Sequence, residues 1–135
     1  MGRMGTFEDY LDFLDGREYS IDIGAQLPHG ALRSYVMGEQ ESLEGDATQP
    51  QIEDMCLHVE RAMRAGAMGF STSRTIGHRS ISGSAVPGTF AAETELVSLA
   101  NAMKTAGRGV FQLYPPVLLA IWNFLAERRK LYWKR

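Results

Sequence analysis

A helix–glycine–strand unit occurs twice in this chain, about 40 residues apart. Ala62-Met63-Arg64-Ala65-Gly66 is followed by Gly69-Phe70, and Ala102-Met103-Lys104-Thr105-Ala106-Gly107 by Gly109-Val110-Phe111. Glycine just past a helical pattern is a stop signal, and a short apolar run beyond it reads as a buried strand. Repetition of that unit is the signature of an alternating α/β fold with parallel strands. Such strands need helices on both faces or closure into a barrel. A closed barrel takes eight units and typically ~250 residues. The 135 residues here therefore form either a small open α/β sheet or a slice of something larger.

The other elements follow from local signals. Phe7 to Leu14 is predicted as a helix, capped by Thr6, with Glu8 and Asp9 at its positive end and Gly16 beyond it. Phe7, Tyr10, Leu11 and Leu14 share one face. Tyr19 to Ala25 is predicted as a short strand, and Ala31 to Met37 fits either a strand or one or two helical turns. Glu39 to Gln49 is polar and acidic and reads as a surface loop. Thr48 and Gln51 form a capping-box pair ahead of an apolar stripe of Ile52, Met55, Cys56, Val59, Ala62 and Met63. Ala67 to Ser71 is the next strand, Phe90 to Ala106 a third helix, and Gly109 to Leu113 the strand after it.

Charge divides the chain unevenly. Residues 1–114 carry 9 basic and 15 acidic side chains, a net of −6, whereas residues 115–135 carry 5 and 1, a net of +4. Residues 114–135 are accordingly read as a divergent basic amphipathic tail, in which Val117, Leu118, Ile121, Trp122 and Leu125 can share a helical face, and residues 1–113 as the α/β part. Aromatic residues among the tail's cations suit a membrane surface, but a solvated terminal helix accounts for them more simply. The formal net charge of −2 gives no electrostatic case for nucleic acid. A single cysteine, Cys56, excludes an internal disulfide and fits a reducing compartment. No apolar run reaches the roughly 20 residues of a membrane span, and the start lacks a secretory pattern, so a cytoplasmic location is expected.

No complete chemical motif is present. The three histidines, His29, His58 and His78, form no His-x-His or His-Glu-x-x-His pattern. Cys56 and His58 stand two apart on a helix and point in different directions. Cys56 is assigned to the core and His58 to the exposed face. Gly69-Phe70-Ser71-Thr72-Ser73 lacks the second glycine of a nucleophile elbow. The long loop from Thr72 to Gly88 hangs from a strand's C-terminal end, where α/β barrels place substrate-binding groups. The cluster of Ser71, Thr72, Ser73, Arg74, His78 and Arg79 could grip an anion, since hydroxyls donate and guanidinium forks match carboxylates. A polar loop without a ligand explains the same residues equally well. His29 follows a strand end and reads either as a site residue or as a turn histidine bonded to backbone. Arg33 and Arg74 are candidates to pair with the excess carboxylates, and Glu93 and Glu95 are explained as first-turn helix charges.

Several ordered blocks resemble one known family. Phe7-Glu8-Asp9-Tyr10-Leu11, the run from Asp22 to Gly38, the run from Ala65 to Thr75, His78-Arg79, and Val86 to Glu93 are similar to the N-acyl-D-amino-acid deacylase (D-aminoacylase) branch of the amidohydrolase superfamily. The similarity covers about residues 6–113. It implies a partial TIM-like barrel of two to three βα units. It also implies a parent enzyme that uses zinc to hydrolyse N-acyl-D-amino acids to a carboxylate and a D-amino acid. In the family a zinc-ligand histidine closes the strand matching Gly109 to Leu113, and here those positions carry Gln112, Leu113 and Tyr114. An early His-x-His pair and a late aspartate would fall outside the chain.

No metal ligand or catalytic residue is therefore assigned. His29, Ser73, Arg74 and His78 stand as substrate-side candidates, and zinc is expected in the parent family but not on this chain alone. The expectation is a truncated, inactive fragment that self-associates if it folds. The alternative is a small non-enzymatic α/β binding or scaffold protein whose basic tail docks on a partner or membrane.

Overall fold

The computed structural model describes residues 5–115. Three strands, β1 (Gln26–Pro28), β2 (Gly69–Ser73) and β3 (Val110–Tyr114), form a parallel sheet in the order β1-β2-β3. Five helices accompany them: α1 (Phe7–Asp15), α2 (His29–Met37), α3 (Glu39–Glu44), α4 (Gln49–Ala65) and α5 (Glu93–Ala106). Sequential strands are spatial neighbours and all run the same way, as expected for adjacent units of a barrel wall.

The twofold unit seen in the sequence is real in space. α4 and α5 pack against each other, and each ends at a left-handed glycine, Gly66 and Gly107. β2 and β3 begin two and one residues later than their apolar runs suggest, because Ala67 and Met68 are used to turn the chain into the sheet. Met68 N–H donates to Ala25 O and Val110 N–H to Met68 O.

α4 forms as its capping signals require. Thr48 N–H donates to Gln51 Oε1 at 2.8 Å, and Pro50 occupies the first turn. Of its apolar stripe, Ile52, Met55, Val59, Ala62 and Met63 are buried, and Cys56 is half-buried against the same core. Burial, followed by the charges of Glu60 and Glu53, pushes the Cys56 thiol above its ordinary pKa, as suits a packing residue. α1 is held by a Thr6–Asp9 capping box and by an ion pair from Arg61 of α4 to Glu8.

Register divides the sheet into two faces. Leu27, Phe70 and Phe111 are aligned partners and meet the core formed with Leu32, Met55, Met63, Leu99 and Met103. Pro28, Ser71 and Gln112 are aligned on the opposite face, as are Ser73 and Tyr114 one step further on.

Three expectations are corrected and one open alternative is decided. Tyr19 to Gly24 is exposed and outside any strand, and β1 starts only at Gln26, because Leu27 is the first residue of that stretch to reach the core. The ambiguous Ala31–Met37 segment is helical from His29. The acidic stretch read as a loop contains α3, whose Ser42 is buried and bonds Glu39 O. The third helix begins at Glu93, not Phe90, which is 70% exposed. The predicted tail helix and the residues 116–135 lie outside the described residues. Among the described residues, no helix is long and apolar enough to cross a membrane.

Candidate functional site

The C-terminal ends of β1, β2 and β3 open into one cavity of about 900 Å³. Its walls are Pro28, Gly30 and Ala31 where β1 passes into α2, Ser71 and Ser73 on β2, Gln112 and Tyr114 on β3, and His78, Val86 and Pro87 from the long loop. Parallel strands place their C-terminal ends together, so three loops distant in sequence meet at one point.

Beneath the cavity lies a buried charged cluster. His29, Arg33 and Glu95 are each no more than 2% exposed. His29 Nε2–H donates to Glu95 Oε1 at 2.6 Å, and Nδ1 shares a hydrogen bond with the Thr72 hydroxyl at 2.8 Å. Arg33 pairs with Glu95 Oε2 through Nη1 and donates to Gly45 O at 2.6 Å through Nη2. Burial raises the Glu95 pKa, but the hydrogen bonds from His29 and Arg33, aided by their charges, outweigh it and hold the carboxyl below its ordinary value. The cluster joins the start of α2, the middle of β2 and the first turn of α5.

The long loop is fastened above this cluster. Arg74 Nη1 donates to Gly88 O at 3.1 Å and to Ala91 O at 2.6 Å. Gly88 has φ +87°, and a Cβ there would lie 2.5 Å from His29 Nδ1. Only glycine satisfies both demands, so the returning leg of the loop rests directly on the imidazole. Arg79 donates to Gly83 O, closing the loop tip.

The sequence candidates are thereby placed. Ser73, half-buried, and His78, exposed, line the cavity, and His29 forms its base. His29 is not a turn histidine bonded to backbone, since both ring nitrogens meet side chains. Arg74 does not pair with a carboxylate among the described residues. Its Nη1 donates to backbone carbonyls instead. Arg33 does pair with a carboxylate, and that carboxylate is Glu95, which the sequence reading assigned to the helix dipole alone. His58 is 17% exposed, with its ring against Tyr35 and 3.8 Å from Asp54, and so is not on a fully exposed face.

Zinc, which the family resemblance implies, finds no fitting set here. Among the described residues no group of three or more His, Cys, Asp or Glu could hold a metal ion. Both nitrogens of His29 are committed, and at the cavity β3 presents Gln112 and Tyr114, neither an imidazole nor a carboxylate.

A parallel sheet in sequential order, backed by α4 and α5 and open at its strand ends, is the arrangement of a segment of an α/β barrel wall. Two solved structures match it, one of a D-aminoacylase described as defining a novel subset of amidohydrolases, the other of an aspartate-to-alanine variant of D-aminoacylase in complex with copper chloride. Each matches with a TM-score of 0.62 and 27% identity, over 78% of this chain and 20% of the matched one. The chain thus spans about a fifth of the D-aminoacylase it resembles, and the resemblance read from its sequence holds for the fold. No family profile and no curated protein matches the chain.

Proposed function

We propose that residues 5–115 supply one wall of a D-aminoacylase-like amidohydrolase, the enzyme class that cleaves the amide of N-acyl-D-amino acids, and that the chain alone does not turn over. The observation that carries this reading is the convergence of three sequential parallel strand ends on one cavity, within a segment 27% identical to D-aminoacylase. The described residues contribute binding groups to that cavity but neither a metal set nor a carboxylate to move a proton. In this reading Ser73 and His78 face the ligand, His29 supports the floor, and Arg74 positions the loop. The outer β3 edge, unpaired among the described residues and with Val110 and Tyr114 about 60% exposed, also favours self-association.

A chimera tests the reading. D-aminoacylase carrying residues 26–115 of this chain in place of its matching segment is expected to be soluble and to melt cooperatively. An aggregated or molten chimera overturns the assignment. In parallel, the purified chain with added zinc is expected to leave N-acetyl-D-amino acids intact, and metal-dependent hydrolysis by it would refute the claim of inactivity.

A further inference from the structure

We infer that this wall of the cavity receives an uncharged amide group of a ligand, and neither its carboxylate nor a metal ion. The inference deepens the proposed function and rests on the cavity being a ligand site. Among the described residues no Asp, Glu, Lys or Arg lines the cavity. The two loop arginines that could have drawn in an anion do not line the cavity, and each turns Nη1 to backbone carbonyls, Arg74 to Gly88 O and Ala91 O, and Arg79 to Gly83 O. The first turn of α2 also opens here, and Pro28 gives it no side-chain cap. The Glu95 carboxylate, bonded to His29 in that turn, already opposes the positive end of the helix dipole. What remains are groups that both donate and accept.

Ser71 and Gln112 are aligned neighbours on the open sheet face, and Ser73 and Tyr114 are the next such pair. A primary carboxamide offers an N–H and a C=O side by side, which is the complement of another amide. A carboxylate ligand only accepts, so it would engage the Gln112 NH2 and the hydroxyls but not the Gln112 carbonyl, and no Lys or Arg of the described lining would offset its charge. A divalent cation would meet only neutral oxygens and a side-chain amide. Ala31 and Pro87 add an apolar margin suited to a short acyl substituent.

The test is an NMR titration of the full chain with N-acetyl-D-leucinamide and, separately, N-acetyl-D-leucine, each with and without EDTA. The expected result is saturable binding of the amide at least as tight as that of the acid, unchanged by EDTA. Gln112→Leu is expected to weaken the amide tenfold or more, with the fold kept as judged by unshifted core resonances. Binding of the acid ten times tighter than the amide, dependence on added zinc, or no saturable binding of either compound overturns the inference. Chimera folding reports the segment assignment and the titration reports ligand charge, so the two claims fail separately.

Discussion

Phe70 and Ser71 are consecutive on β2 yet serve opposite sides of one sheet. Phe70 is fully buried, packed between the His29 ring at 5.3 Å and Phe111 at 5.4 Å, in the core closed by α4 and α5. Ser71 faces the open cavity beside Gln112. The difference teaches where stability and ligand chemistry reside. The helix-backed face holds the hydrophobic core and the buried ion cluster, while the open face carries small polar groups that the fold does not need. Exchange at one face should therefore unfold the chain, and exchange at the other should not.

Glu95→Ala would break this contrast most severely. It strands Arg33 and His29 in the interior without their acid, and removing one member of a buried pair costs about 3–5 kcal/mol. Urea denaturation should show the loss, and a stability change within error would mean that the cluster is solvated. Phe70→Ala should cost about 3–4 kcal/mol by the same measurement, from lost burial and the cavity left behind. Gly88→Ala comes next at about 2 kcal/mol, since it combines a left-handed φ with a clash on the imidazole. Unaltered stability there would show that the loop does not rest on His29.

Acidity sharpens the comparison further. The Glu95 pKa is lower folded than unfolded, so its contribution is fully present above the ordinary carboxylate range. It is lost as pH falls through the depressed folded value. Stability of the native chain should decline in that acidic window, and Glu95→Gln should flatten that part of the profile. The smallest effect belongs to the open face. Ser71→Ala should shift stability by less than about 0.5 kcal/mol, because a half-exposed hydroxyl can exchange its bonds with water.

Local rules made much of this architecture legible. The Thr48–Gln51 box, the stripe from Ile52 to Met63, and the stops at Gly66 and Gly107 act over a few residues, and α4 and the ends of both repeated helices follow them. The strand at Tyr19 to Ala25 failed because alternation without a partner does not make a strand, and only Gln26 to Pro28 pairs with β2. Glu95 was misread for a related reason. An acid in a first helical turn satisfies the dipole rule by itself, and nothing nearby announces a partner 66 residues away in sequence. Arg74 looked like an anion clamp because residue type reveals charge but not which acceptors the folded backbone will offer. The cavity's location at the strand ends could be anticipated, whereas its uncharged lining required the loop's hydrogen bonds to be seen.

The common direction of β1, β2 and β3 also limits how this ladder can be enlarged. Polypeptide joining alongside Val110–Tyr114 with the same polarity has to enter at the rim marked by Gln26, Gly69 and Val110. A tight reversal after Tyr114 would deliver it pointing the wrong way, so a crossover of a dozen or more residues must first carry it back along the sheet. The connection after β2 shows what such a crossover brings with it, since its outgoing leg lines the mouth with His78, Val86 and Pro87 before α5 carries the chain back.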